Sequence, residues 1–524
     1  VPKVSVVIPT YRSGPGLDDA VASLDAQTLP REDFEVLLVD DGSPDDTFDR
    51  ARAICATRPH FRAVRIAPSG WPSRPRNVGI TEADGEFVLF MDHDDQLYPD
   101  SLRAAYALGA ASGADVVNAK EVRTRQPRWG LATFAADLDD ASELPLRGLL
   151  PMTPHKLYRR RFLLDHDIRF PEAPRHLWED LFFNVDVIRH DPKVAVLSSV
   201  AFYHWRDTGE NSSAPADGSK LDYSGDAEYW AYLDKLLEHV SAVERAPLRD
   251  ELLVHNAGVR LASQIGQRLA RAGGPERAAI IEHVSRLLAT VVPPELDAQM
   301  PTRTRIALTL FRAGHVDEAT EYLVDGDGAP PLVTITDAAW AEGALTLSGT
   351  VQWQGAESSG IELRREPQGL VRAFSPALRA ALDGLGLPAA PDLEDARLSL
   401  VLRHKSSYAA WELPTDTVVR AAAAADGTLR PVGTFTARLD PARAAAGTPL
   451  PPGPYVVHAV GVLEGRKAVK RVRTTLAPDV LGAGRPLSAR VTEKEHLVLR
   501  MLPTEGEPAV RARGGGRRRL GRGR

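Results

Sequence analysis

The tripeptide Asp92-His93-Asp94 directly follows the apolar run 87–91. Two carboxylates at i and i+2 just past a buried strand can turn toward one point in the following loop. Hard oxygen ligands of this kind suit Mg2+ or Mn2+, which bind phosphate oxygens in turn. Such an ion would neutralise the charge that builds on a departing diphosphate. The competing reading is an acidic turn that caps the next helix, since aspartate favours turns. A second acidic group, Asp40-Asp41-Gly42-Ser43, closes another apolar run. Its carboxylates can accept from a nucleobase or ribose edge, or cap a helix that starts at Asp45.

Three further groups carry usable chemistry. In the segment 73–79, SRPRNVG, Arg74 and Arg76 offer forked donors to phosphate, and a helix beginning nearby offers free N–H groups. In Trp178-Glu179-Asp180 a carboxylate stands beside the apolar run 181–183. Apolar surroundings raise a carboxyl pKa and suit it to general-base work, though the same residues could cap a helix. Tyr203-His204-Trp205-Arg206 runs into the Gly/Ser-containing segment 207–213. It combines a metal-ligating type, a phosphate partner and a segment able to close over a ligand; the plain alternative is a structural histidine.

These groups need elements to hold them. Short β-branched runs at 4–8, 34–39, 61–66, 87–91 and 115–119 read as buried strands, the first closed by Pro9. Helical spacing appears at 17–24, 45–57, 77–83 and 101–111. Alternating strands and helices predict an α/β, Rossmann-like, mostly parallel sheet covered on both faces, with ligands beyond the carboxyl ends of its strands. From 226 to 313 the pattern turns helical, with Leu252, Val259, Ala262, Ile265 and Leu269 on one stripe. After Pro330-Pro331, β-like runs at 332–335, 345–353, 398–402, 434–439 and 455–462 predict a sandwich. The expected divisions are 1–220, 221–328, 329–505 and a basic tail, 506–524.

The 524 residues are 43% hydrophobic and 26% charged, enough for an ordinary globular core, and about three domains are expected. The formal charge of −6 names no partner, but residues 511–524 carry seven arginines and no acid. A basic tail on an acidic body fits a solvated tail or an anionic partner. The single cysteine, Cys55, excludes an intrachain disulfide and a cysteine-rich zinc site, and suits a reducing compartment. The opening run VSVVIP is too short for a signal peptide, and no apolar run approaches the ~20 residues of a membrane span. The expected location is cytoplasmic, with peripheral contact at the inner face of the membrane through the tail.

In order along the chain, VSVVIPTYR, LLVDDGSPDDT, SRPRNVGI, GEFVLFMDHDD and WEDLFF resemble the family 2 inverting glycosyltransferases of GT-A fold, over residues 3–215. The wall teichoic acid enzymes that decorate polyribitol phosphate are the most similar group. The resemblance implies that Pro9, Tyr11 and Asp41 hold uridine, and that Arg76 and Asn77 lie near the ribose and diphosphate. Asp92 would contact the nucleotide or its metal, and Asp94 would ligate Mn2+ or Mg2+. Asp180 would be the base and Glu179 its sugar-contacting neighbour. His204, Arg206 and Ser212 would fall in a diphosphate lid, His204 as a further ligand. His93 departs from the small residue common at its position.

The implied donor is a UDP-sugar, and the implied acceptor an anionic cell-envelope polymer or a lipid-linked chain rather than nucleic acid. Arg260, Gln264, Arg268 and Arg271 share a helix face on which such a polymer could lie; a solvated charged face is the alternative. The C-terminal sandwich has no clustered acids or histidines. By analogy it assembles the chain into a homo-oligomer, a trimer in the relatives. A non-catalytic polymer-binding scaffold competes, but a relic has no need of Asp92, Asp94 and Asp180 together. A nucleotidyltransferase would want a glycine-rich loop with a lysine, which 9–16 does not supply.

Overall fold

The computed structural model describes residues 1–127, 129–173, 176–207, 226–324, 330–353, 361–367, 369–390, 393–423, 427–477 and 486–502. Its first sheet contains β1 (Val4–Thr10), β2 (Phe34–Asp40), β3 (Phe61–Arg65), β4 (Phe87–Phe90), β5 (Gln96–Leu97), β6 (Val116–Arg123), β7 (Leu157–Arg159) and β8 (Val194–Trp205). Among the described residues the strand order is β3-β2-β1-β4-β7-β6-β8-β5. The pairs β1–β2, β2–β3, β1–β4 and β6–β8 are parallel; β7 runs antiparallel to both neighbours, and β5 to β8.

Successive side chains of a strand point to opposite faces, and here both faces are buried. Val4, Val6 and Ile8 pack with Leu17, Val21 and Leu24 of α1 (Gly16–Asp25). Val7, Leu37 and Val39 face Ile80 and Phe183 on the other side. The α/β reading therefore holds, with local differences. β1 runs past Pro9 to Thr10. Thr10 O accepts from Asp41 N on the β2 side, so the N–H-less Pro9 faces the β4 side, where pairing has ended at Val7.

Two further helices, α2 (Thr47–Ala56) and α3 (Ser73–Glu82), follow. The helix expected from Asn77 begins at Ser73, because Pro75 is tolerated in a first turn. Arg74 and Arg76 therefore ride on α3 rather than on a loop before it. The helix lies close on the sheet at Gly79, where an added Cβ would come 2.2 Å from Val7 Cγ1. The sheet's remaining helices are α4 (Ser101–Ser112), α5 (Arg160–Asp165) and α6 (Glu179–Arg189).

The helices of 226–324 share a continuous core with the α6 side of this sheet, through Trp230, Leu233, Leu252 and Leu261 against Phe182 and Phe183. The expected stripe is interrupted: a π-helical turn, Ala257–Ala262, adds a residue and shifts the phase, so Val259 is 51% exposed while Leu261 is buried. Beyond residue 330, among the described residues, two sheets pack Leu345, Leu347 and Phe435 of one against Leu400, Trp411 and Val457 of the other. The sandwich touches the first sheet directly, since Val122 of β6 belongs to its core.

Candidate active site

The carboxyl ends of β1, β2 and β4 lie side by side. Asp41, just past β2, receives Ser69 N and Ser69 Oγ on Oδ1, both at 2.8 Å, and Gly70 N on Oδ2 at 2.9 Å. Its carboxylate thus shapes the 69–71 loop beside the cleft. Asp40 is fully buried and accepts from Ser43 N at 3.1 Å. Tyr11, at the end of β1, is 47% exposed, with Arg12 5.6 Å from its ring centroid, next to the Asp41 N–Thr10 O pairing.

Arg76 is the hub. Only 3% exposed, it donates Nη2 to Asp92 Oδ1 at 2.9 Å and Nη1 to Glu179 Oε1 at 2.8 Å. Burial alone would disfavour its charge, but the two carboxylates outweigh that and hold its pKa above the ordinary arginine range. The planar fork of arginine is what permits one side chain to grip two acids on different elements.

Beneath Asp92 lies a buried ionic network. His155 Nε2 stands 3.4 Å from Asp92 Oδ2, and His155 Nδ1 3.1 Å from Glu121 Oε2. Arg123 Nε donates to Glu121 Oε1 at 2.7 Å. Burial opposes charge on the ring, yet its contacts with the two acids win and lift the His155 pKa to about 9. Burial likewise opposes charge on Asp92, but Arg76 and His155 hold it well below the usual carboxylate range. The Tyr203 ring stacks on His155, centroids 3.8 Å apart and planes 7° from parallel, and its hydroxyl donates to Asp95 Oδ2 at 2.7 Å while accepting from Asp92 N at 3.0 Å.

Asp92, Asp95 and His155 each bring a ligand atom within 4.8 Å of the others. To hold an ion they would have to give up partners: His155 lies between Asp92 and Glu121, and Asp95 accepts from Tyr203 and from Arg206 N at 2.7 Å. Asp94, two residues on, adds a further hard carboxylate near Asp92, the donor type that a divalent ion takes. Burial, then the Asp92 charge, push the Asp94 carboxyl above its usual range, and a dication between the two would reverse that.

Across the cleft, Trp178 adopts φ 61° and turns the chain into α6. Asp180 accepts from Leu181 N at 2.9 Å. Burial first and Glu179 second push its carboxyl up to about 6, against the opposing pull of Arg76 and Arg260. Arg260 comes from the π turn of the helical region. It stands 5.5 Å from the Trp178 ring, Trp178 meets Tyr229 edge-on at 5.2 Å, and Arg268 lies 4.5 Å over Tyr229.

The structure thus joins Arg76, Asp92 and Glu179 directly, with Asp180 and Asp94 inside the same electrostatic cluster, Asp41, Tyr11 and Pro9 on the adjoining strand ends, and Arg206 at the rim, its Nη1 2.8 Å from Asp19 Oδ2. Two residues stand apart. Asn77 spends its amide on the 170–172 segment, accepting from Phe170 N at 2.8 Å and donating to Phe170 O and Glu172 Oε1 at 2.9 and 3.0 Å. His204 pairs Nε2 with Thr124 Oγ1 at 3.1 Å and stacks on Tyr98, and burial pushes its pKa down to about 4. Ser212, the Gln264 side chain and the arginine tail lie outside the described residues. Glu121 and His155 escaped sequence reasoning, where the one available signal was Lys120-Glu121 inside an otherwise buried strand, and Arg260 was expected on an acceptor-facing helix face rather than beside Asp180.

A parallel-rich sheet with an acidic pair at one strand end and a carboxylate at a facing helix start is the arrangement of the GT-A fold. The model of glycosyl transferase family 2 matches residues 5–133, and that of the glycosyl transferase TarS linker domain residues 226–323. Residues 5–133 are thus similar to family 2 glycosyl transferases, and residues 226–323 to a TarS-type linker domain. Poly(ribitol-phosphate) beta-N-acetylglucosaminyltransferase TarS of Staphylococcus aureus is 32% identical over 214 residues, 40% of this chain and 37% of that protein. A poly(ribitol-phosphate) beta-glucosyltransferase of Bacillus spizizenii is 28% identical over 203 residues, 38% of this chain and 32% of that protein. The chain therefore matches only about a third of the length of these relatives. The crystal structure of S. aureus TarS in complex with UDP-GlcNAc shares the fold, with TM-score 0.53 at 24% identity over 68% of this chain and 98% of that one. Among the described residues no helix is long and apolar enough to cross a membrane.

Proposed function

We propose that this chain is an inverting glycosyltransferase that moves a hexosyl or N-acetylhexosaminyl group from a UDP-sugar to a hydroxyl of an anionic cell-envelope polymer of the poly(ribitol phosphate) kind. The observation that carries the reading is the Arg76 bridge between Asp92 and Glu179, with Asp180 beside it raised to about 6. A carboxylate at that value is ionised at neutral pH yet basic enough to take a proton.

In this reading Tyr11 and the Asp41-ordered loop receive the uracil and ribose. Asp180 accepts the proton of the acceptor hydroxyl as its oxygen bonds the anomeric carbon, and the bond from that carbon to the diphosphate breaks on the opposite face. Arg206 stands where it can meet the diphosphate, and Arg76 keeps Asp92 and Glu179 fixed while charge moves. A divalent ion, Mn2+ or Mg2+, held by Asp94 with Asp92 would supply charge neutralisation to the leaving UDP. Arg260 and Arg268 would face the acceptor's phosphates. The teichoic-acid likeness also supports assembly through the sandwich as a homo-trimer and work on the cytoplasmic side of the membrane; light scattering of the full chain tests the first.

The deciding experiment is UDP release from a panel of UDP-sugars with Mn2+, with and without poly(ribitol phosphate). Asp94→Ala should lose the metal dependence, and Asp180→Asn should lose turnover while keeping donor affinity. A chain that binds polymer but releases no UDP from any donor would instead be a binding scaffold.

A further inference from the structure

The C-terminal sandwich does more than lie beside the transferase sheet. Its hairpin between the strands Arg397–His404 and Ala410–Leu413 reaches the outer ends of β6 and β8. Arg403 Nη2 donates to Arg123 O at 3.2 Å and also to Thr124 O. Tyr98, just after β5, donates its hydroxyl to Ser407 O. The Tyr408 ring meets His204 at 5.4 Å, and Arg403 lies 4.8 Å over the same Tyr408 ring. His204 is thereby enclosed, with Tyr98 stacked at 5.9 Å on one side and Thr124 on its Nε2. Tyr408 holds φ 59°, an uncommon conformation for an aromatic residue, which persists where surroundings dictate it.

Both strand ends lead straight into the donor site. Two residues beyond His204, Arg206 donates its N–H to Asp95, next to Asp94, and its guanidinium to Asp19. Arg123, whose carbonyl Arg403 grips, sends its own guanidinium to Glu121, the acid that holds His155 against Asp92. The guanidinium is fixed over the Trp129 ring at 3.4 Å and the Trp205 ring at 5.0 Å, so β6 and β8 are tied to each other at this point.

We propose that the sandwich hairpin is a built-in brace of the donor site, with Arg403 and Tyr408 as positioning residues that act through Arg123, Thr124 and His204 on Asp92 and Arg206. The proposal rests on the transferase reading for its catalytic consequence. The uridine end of the cleft, at Tyr11 and Asp41, lies on other strands and touches none of these residues. Loosening the brace should therefore disturb the diphosphate end selectively. Displacements of about 1 Å can cost on the order of 100-fold in rate.

The test uses the full chain and measures three things for each variant: thermal stability, affinity for Mn2+·UDP by calorimetry, and kcat and KM for the UDP-sugar that the wild-type chain turns over. Tyr408→Ala is expected to fold, to weaken Mn2+·UDP binding about threefold or more, and to lower kcat about tenfold or more with a smaller change in KM. Tyr408→Phe should restore all of these, because the ring makes the contact. If Tyr408→Ala does not fold, Tyr98→Phe takes its place, removing one hydroxyl from Ser407 O, with a kcat loss of about threefold expected. A folded variant with binding and kcat both within twofold of wild type overturns the brace. A wild-type chain that binds Mn2+·UDP but turns over no donor overturns the transferase reading, and the binding comparison then judges the brace alone.

Discussion

Arg76 and Glu179 are 103 positions apart in the chain and 2.8 Å apart in space, Nη1 to Oε1. That single contact ties the helix packed behind β1 to the start of α6, and the second arm of the same guanidinium reaches Asp92. Removing the cation would strip Glu179 of this partner and leave Asp92 with His155 alone. Breaking one partner out of a buried ionic group costs about 3–5 kcal/mol. Arg76→Met should therefore lower the melting temperature by several degrees and cut kcat by about 100-fold or more. Arg76→Lys should recover little of either, since a point charge cannot serve two acids at once. Thermal unfolding and steady-state kinetics on the pair of variants check this.

The raised Asp180 gives a pH dependence with a definite sign. The base works ionised, so kcat/KM should fall with unit slope as pH drops through about 6. Its neighbours shift that limb in opposite directions. Glu179 raises the Asp180 pKa and Arg260 lowers it. Glu179→Gln should therefore move the acid limb to lower pH, and Arg260→Met should move it to higher pH. Profiles for the three proteins between pH 4.5 and 8 on one donor, ranges chosen about the value of 6, read the two displacements directly. Shifts of the same sign in both variants would remove Asp180 as the base.

Much of the first sheet was legible because apolar runs bounded by turn residues leave few alternatives, as at 34–39 and 87–91. The motif ends followed, since acids at strand ends of an α/β sheet have one place to go. The antiparallel β7 was not legible: three residues, Leu157–Arg159, carry no period, and their strand state comes from pairing with β4 and β6 on either side. Nor was the His155–Glu121 pair, whose members meet only after the sheet forms. Arg260 was noticed for a shared helix face, whereas its place beside Trp178 depends on the π turn, which no propensity announces. Asn77 has a structural use that its motif does not announce. Its amide bonds the 170–172 segment, through Phe170 and Glu172.

Lys120 offers a test of the seat between the sandwich and the sheet. It is 3% exposed, with Nζ 3.4 Å from Phe134 O and within 6 Å of the Phe134 and Trp411 rings, at 5.6 and 5.7 Å. Burial pushes its pKa down to about 7, against the raising influence of Asp137 and Glu412. A lysine depressed on folding adds stability only above its unfolded value near 10.5, and that contribution is lost as pH falls through about 7. Lys120→Met should accordingly stabilise the chain at pH 6, by about 1–3 kcal/mol, and the advantage should vanish toward pH 10. Melting of both proteins at the two pH values decides it; an advantage independent of pH would assign the effect to packing alone.

The acceptor side yields the remaining expectation, and the structure changes how it has to be tested. Reversing Arg260 and Arg268 together was the natural experiment from sequence, because both fall on one helical face. Arg260, however, acts on Asp180, so its reversal would raise the pKa of the base and slow every acceptor, water included. Arg268 lies over Tyr229, a ring away from Trp178, and is not among the largest influences on Asp180. Arg268→Glu should raise the KM for poly(ribitol phosphate) about fivefold or more, because exposed or half-buried charge contacts to phosphate are worth about 1 kcal/mol each and reversal counts twice. Donor hydrolysis without polymer should stay within twofold, and the KM difference between Arg268→Glu and wild type should shrink at 0.5 M salt, where screening falls to a few ångströms. An unchanged polymer KM at low salt would move the acceptor track away from this face of the helical region.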